Sequence, residues 1–208
     1  MSPRRRIVAR RLERPRSSAA TWSALALTSM AAACGDDLRP SGGALGTCDG
    51  QVFEIAREPG LHVLPGQTIE WSSNPPATGA HYPLWAAWYR TYDVLPRGYW
   101  VHNAEHGGIV LLTRCPDGCE EDRAALIALA QRLPVDGRCQ APIRTRVILA
   151  SDPELPEGVR VAAVAWGAYY TASCVDEAAL TTFIQDHYAR APEDLCGDGL
   201  VMGGVRIP

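Results

Sequence analysis

One octapeptide, Val101-His102-Asn103-Ala104-Glu105-His106-Gly107-Gly108, restricts the fold of this chain more than any other segment, because it has to begin as a helical turn and end as a strand. His102, Glu105 and His106 stand at i, i+3 and i+4, spacings that share one face of a helix. Gly107 and Gly108 are poor helix residues. Ile109, Val110, Leu111 and Leu112 then follow as an unbroken apolar run, the pattern of a buried strand. His62 and His81 lie upstream within the same window, whereas His187 is far downstream.

The segments on either side differ in character. Residues 51–100 are rich in Pro, Gly and aromatics and poor in periodicity; short extended pieces are expected at 51–55 and 68–71, between turns at Pro59-Gly60 and Pro65-Gly66. Adjacent prolines at Pro75-Pro76 force a loop, so His81, Trp85, Trp88 and Tyr89 are expected on irregular backbone. After the strand at 108–114, Asp117-Gly118 turns the chain. Residues 120–133 then carry apolar side chains at helical spacing behind an acidic first turn, and Pro134 ends that helix. Strands are expected at 144–150 and 159–166, and a last helix at 176–189 with Asp176 as its N-cap. The order predicts an α+β fold: a small, mainly antiparallel sheet with two principal helices packed on it, behind an irregular N-terminal half. Trp85, Trp88 and Trp100 read as core or loop-anchoring aromatics.

The chain opens on Arg4, Arg5, Arg6, Arg10, Arg11, Arg14 and Arg16, followed by a small and apolar run that stops at Ala31-Ala32-Ala33-Cys34. This reads as an export signal over 1–33, and its end resembles a bacterial lipoprotein processing box in which Cys34 is lipidated. Ala31 stands where that box usually has Leu. Residues 34–47 read as a flexible tether, and 48–208 as a single domain. Seven of the 20 basic residues and one of the 23 acidic ones fall in the leader, leaving 13 against 22 and a mature charge of −9 with histidines neutral. No basic footprint for nucleic acid remains. The expected partner is instead a membrane, reached through lipidated Cys34, in the periplasm or at the cell surface. Cys48, Cys115, Cys119, Cys139, Cys174 and Cys196 are an even set in an exported chain, which argues for disulfides whose pairing spacing alone leaves open. A thiolate zinc site at Cys115 and Cys119 is the weaker alternative, for want of a second close pair.

A helical turn with two histidines can aim two ring nitrogens at one ion if further ligands arrive from elsewhere, and His81 and His62 are the candidates. Imidazole suits zinc, copper, nickel or iron; zinc or copper is the expectation here. Glu105 is the polar centre of the group. A non-catalytic metal-binding role is favoured over an enzymatic one, because only Glu105 offers acid/base chemistry. Two alternatives stand beside it. His102-x-x-Glu105-His106 spells the inverted zinc-protease signature, which would make Glu105 the base of a zinc-dependent hydrolase, although that motif requires a long surrounding helix. Alternatively, the histidines are structural elements of an extracellular interaction module, their rings bonded to buried carbonyls.

Several spaced motifs together carry a family resemblance: Thr78-Gly79-Ala80-His81, the segment from Val101 to Gly107, Ala165-Trp166-Gly167, and the ending that runs from Asp176-Glu177 through Phe183-Ile184 to Ala191-Pro192-Glu193. The chain resembles the bacterial domain-of-unknown-function family numbered 3105 over about residues 62–193. Its members are mostly secreted, lipid-anchored or membrane-tethered. The resemblance implies a polar centre of His81, His102, Glu105 and His106, with His62 less securely placed, and no established activity. Ala104 replaces the family's usual Leu, a loss of volume that Trp100 is expected to fill.

Overall fold

Successive residues of a strand point to opposite faces, and in four strands of this chain both sets are apolar, so a sheet built from them has to be covered on both sides. The computed structural model describes residues 44–114 and 118–208. The leader, Cys34, the tether as far as residue 43, Cys115 and Asp117 lie outside the described residues. In chain order the elements are β1 (Gln51–Glu54), β2 (Arg90–Tyr92), α1 (Arg97–Glu105), β3 (Ile109–Thr113), α2 (Glu120–Arg132), β4 (Val147–Ser151), β5 (Val161–Ala165), β6 (Ala168–Ala172), α3 (Glu177–His187) and β7 (Val205–Arg206). The strands form one seven-stranded sheet in the order β1-β6-β5-β3-β4-β2-β7. Only the β3–β4 and β4–β2 pairings are parallel; the other four are antiparallel.

Ile109, Leu111, Val147, Leu149, Val161 and Ala163 point to one face, where Leu126, Leu129, Leu180 and Phe183 of α2 and α3 cover them. Val110, Leu112, Ile148, Ala150, Ala162 and Val164 point to the other, beneath Trp100, Val101 and Ala104 of α1 and Trp88 of the preceding loop. Asp176 caps α3, its carboxylate accepting the Ala179 N–H at 3.0 Å. Disulfides join Cys48 to Cys174 and Cys139 to Cys196, with Cα separations of 5.3 and 5.1 Å. Cys119 is disulfide-bonded too, so its sulfur is not a zinc thiolate.

The α+β class and the disulfides agree with the sequence; the number of elements does not. A third helix, α1, joins the two expected. It has no capping side chain and no apolar stripe, and nearly every residue from Gly98 to Glu105 is buried, so surrounding structure holds it rather than propensity. β6 follows β5 through a two-residue turn, Trp166-Gly167, with Gly167 at φ +82°. The piece expected at 68–71 is not a strand. β2 and β7, at three and two residues, carry too little pattern to stand out from loop.

Candidate metal centre

The C-terminal end of α1 is shaped by the two glycines that follow it. Gly107 lies at φ +80°, a conformation in which a Cβ is strained. Its N–H reaches the Ala104 carbonyl at 2.9 Å, and the Gly108 N–H reaches that of Asn103 at 3.1 Å. Those two bonds are the 5→2 and 6→1 pair of a Schellman motif. A Cβ on Gly108 would overlap the Trp88 ring, so that position has room only for glycine. His102 and Glu105 therefore occupy the last turn of a nine-residue helix, and His106 its C-cap.

Asn103 brings the facing loop to this turn. Its side-chain amide donates to the Ala86 carbonyl at 2.8 Å and accepts the Ala86 N–H at 3.0 Å, all of it buried. Upstream on that loop, His81 pairs with the backbone around His62: the His81 N–H reaches the Leu61 carbonyl and the Val63 N–H reaches the His81 carbonyl, each at 2.9 Å. Three separate stretches of chain thus converge. His62, His81, His102 and Glu105 each offer a ligand atom, all lying within 4.8 Å of one another. A closed tetrahedral zinc site with bonds of 2.0–2.1 Å sets its ligand atoms about 3.4 Å apart, so contraction by roughly an ångström would close this group on an ion.

The ring nitrogens have divided roles. His81 Nδ1 lies 2.9 Å from the Gly79 carbonyl and His102 Nδ1 2.6 Å from that of Tyr82. A carbonyl only accepts, so both Nδ1 atoms carry hydrogen, and in a neutral ring each Nε2 presents a lone pair. A backbone partner of this sort is what orients metal-binding histidines. His81 Nε2 comes within 2.9 Å of Glu105 Oε2 but is not aligned as a hydrogen-bond donor to any acceptor. Burial pushes His102 and His106 down to about 4, which keeps both rings neutral at neutral pH. Burial raises Glu105, but the adjacent His81 ring, followed by His102 and His106, outweighs it and holds the carboxyl below its usual range. The centre is thus an ionised carboxylate among imidazole nitrogens, the donor set of a cation site.

Of the five residues singled out in the sequence, four form this group. His106 stands beside it, its Nε2 3.0 Å from His102 Nε2 and 3.1 Å from Glu193 Oε2. His187 lies apart, its ring tilted against Phe183 at the end of α3. His62 is exposed and the other three ligand candidates are buried. Several participants carried no recognisable signal in the sequence. Gly60 packs so tightly on Glu105 and His81 that a Cβ would lie 2.7 Å from Glu105 Cδ and 3.0 Å from His81 Cε1. Behind His106, fully buried Arg146 donates to the His106 carbonyl at 2.7 Å and pairs with Asp136 at 2.8 Å and Asp194 at 2.6 Å. Glu193 and Asp194 are held nearby by the Cys139–Cys196 disulfide and by a hydrogen bond from the Glu193 N–H to the Glu105 carbonyl at 3.2 Å. Asn103 stood inside the motif itself, where a buried amide between two histidines was the available hint.

The chain belongs to the family described as "Protein of unknown function (DUF3105)", whose profile matches residues 62–197 and so spans the whole histidine group. No curated protein and no solved structure matches it.

Proposed function

We propose that this family member is an exported, lipid-anchored protein that binds a transition metal ion, zinc or copper, through His62, His81, His102 and Glu105 in a non-catalytic role. One observation carries the reading. Ligand atoms of three imidazoles and one carboxylate, brought from three stretches of chain, lie within 4.8 Å of one another, and backbone carbonyls hold the Nδ1 atoms of His81 and His102 so that Nε2 is the atom left for an ion. Purely structural histidines leave polar atoms unaccounted for, because among the described residues His81 Nε2 and His106 Nδ1 are buried without hydrogen-bond partners.

The non-catalytic role is supported by the setting of Glu105. A general base needs a reachable water or substrate, whereas this carboxylate is 6% exposed and the Gly60 backbone is packed on it. The HxxEH letters also end a short helix rather than sitting within a long one. Export and anchoring are supported by the arginine-rich leader, by Ala31-Ala32-Ala33-Cys34 and by the cross-links, which persist in oxidising compartments.

Metal analysis of tag-free protein tests the binding reading. Near-stoichiometric zinc or copper is expected in the wild type and a loss of it in His81→Ala/His102→Ala; equal content in both would end the assignment. For the anchor, Cys34→Ser is expected to abolish palmitate labelling and release the protein from membranes. A variant that still labels and sediments would show that Cys34 is not the lipidated residue.

A further inference from the structure

His106 is buried against the ligand group yet outside it, and its hydrogen bonds give it a separate task. Because His102 Nδ1 donates to Tyr82, His102 Nε2 can only accept in the neutral ring, and the atom facing it at 3.0 Å is His106 Nε2. His106 Nε2 must therefore carry the hydrogen, which leaves its Nδ1 bare, consistent with the absence of any partner there. That same Nε2 is 3.1 Å from Glu193 Oε2, a contact by distance and not an aligned hydrogen bond, so the N–H that faces the His102 lone pair has a second acceptor beside it, a carboxylate that is 56% exposed. The backbone of His106 is fixed, so the path to His102 opens only by rotation of the ring about its own side-chain torsions. Its backbone is the C-cap of α1, its carbonyl is held by Arg146, and the Trp85 ring lies 4.3 Å away, centroid to centroid.

We propose that His106 is a hydrogen-bond plug on the His102 lone pair, and that Glu193 is the positioning residue that draws the plug away when an ion binds. The inference rests on the reading of His102 as a metal ligand. In the metal-free protein the His106 N–H is directed at His102, with Glu193 beside it. When His102 Nε2 coordinates an ion it ceases to accept, and the N–H is transferred wholly to Glu193. No bond to hydrogen breaks; the ring turns toward Glu193 and the acceptor changes. His106 is thereby a competitor of the ion rather than a ligand, and Glu193 favours binding without touching the metal.

Zn²⁺ titration against a chelator, on full-length tag-free protein, separates these roles. Glu193→Ala is expected to weaken zinc binding about three- to tenfold, the worth of one hydrogen bond. His106→Phe keeps the ring volume and removes the N–H; it is expected to bind zinc at least as tightly as the wild type and to abolish the effect of Glu193→Ala in the double variant. If His106→Phe loses zinc, His106 is a ligand and the inference is overturned. If Glu193→Ala weakens binding equally in both backgrounds, Glu193 acts through its charge alone and the inference is again overturned. Nitrogen-15 spectra of wild-type imidazoles decide the matter without any variant: coupling across the His106–His102 hydrogen bond is expected in metal-free protein and should vanish on adding zinc, and coupling that survives saturation refutes the plug. Wild-type protein that takes up no zinc or copper would fail at the earlier step and remove both readings.

Discussion

Asn103→Ala is the most exacting perturbation of the centre, because Asn103 touches no ligand atom and yet fixes where two of the stretches meet. The substitution deletes two hydrogen bonds and, more seriously, leaves the Ala86 N–H and C=O buried with no remaining partner. A buried backbone group left unpaired costs about 1–3 kcal/mol, so the pair predicts roughly 2–5 kcal/mol of lost stability. For a domain of this size that corresponds to a fall in Tm of about 5–15 °C. Asn103→Asp retains the acceptor for the Ala86 N–H but sets a buried carboxylate oxygen against the Ala86 carbonyl, so it should cost at least as much as alanine. Chemical denaturation with amide hydrogen exchange reads both the magnitude and the place. Exchange at Ala86 and its neighbours should accelerate well before that of β3 and β5, and zinc affinity should fall because His81 lies on the released loop. A variant within about 0.5 kcal/mol of wild type, the range of an ordinary surface change, would refute the reasoning. So would a destabilised variant in which Ala86 keeps its full protection.

Three further outcomes follow from the same geometry. Gly60→Ala places a Cβ against the Glu105 carboxylate and His81, so it should abolish the zinc-induced rise in Tm while the metal-free Tm changes little; a preserved rise would contradict the packing. Burial raises Asp136, but hydrogen bonds from Tyr188 and the Arg138 N–H, followed by the Arg146 charge, win and hold it below its ordinary value. Its contribution is therefore present above the ordinary carboxylate range and lost as pH falls through the lowered one. Asp136→Asn should flatten the acid limb of a stability-versus-pH curve, and an unchanged slope would count against this. Replacing Cys139 and Cys196 with serine opens a loop of 57 residues' separation, for which chain entropy gives about 4 kcal/mol. Denaturation under non-reducing conditions would measure that loss, and a cost under about 1 kcal/mol would show that the segment bearing Glu193 and Asp194 holds without its cross-link.

Most of the sheet was legible because its signal is local. The apolar runs of β3, β4 and β5 and the apolar spacing of α2 and α3 were recognisable without knowledge of their partners, and Asp176 announced the start of α3. The elements that escaped are those that exist only through contacts. β2 is three residues long and pairs in parallel with β4, a strand more than fifty residues downstream. α1 lacks both cap and stripe, because it is buried among Trp88, Tyr92, Trp166 and the loop bearing Ala86. The histidine group was half legible. His102 and Glu105 meet at helical spacing, but the distances that admit His62 and His81 and set His106 aside depend on loop paths that no period encodes.

What the residues decided unaided was the class of the fold, the sites where helix gives way to strand at Gly107-Gly108, and the stock of imidazole and carboxylate groups that could meet. Those follow from interactions within a few residues: propensity, periodicity, and the φ that only glycine adopts freely. Tertiary structure alone decided which nitrogen of each ring is occupied, that Glu105 faces His81 and not solvent, that Glu193 comes to rest beside His106, and that Asn103 locks the loop in place. Each of these is a contact between segments far apart in the chain, fixed by burial that leaves a polar atom only the partners within its reach.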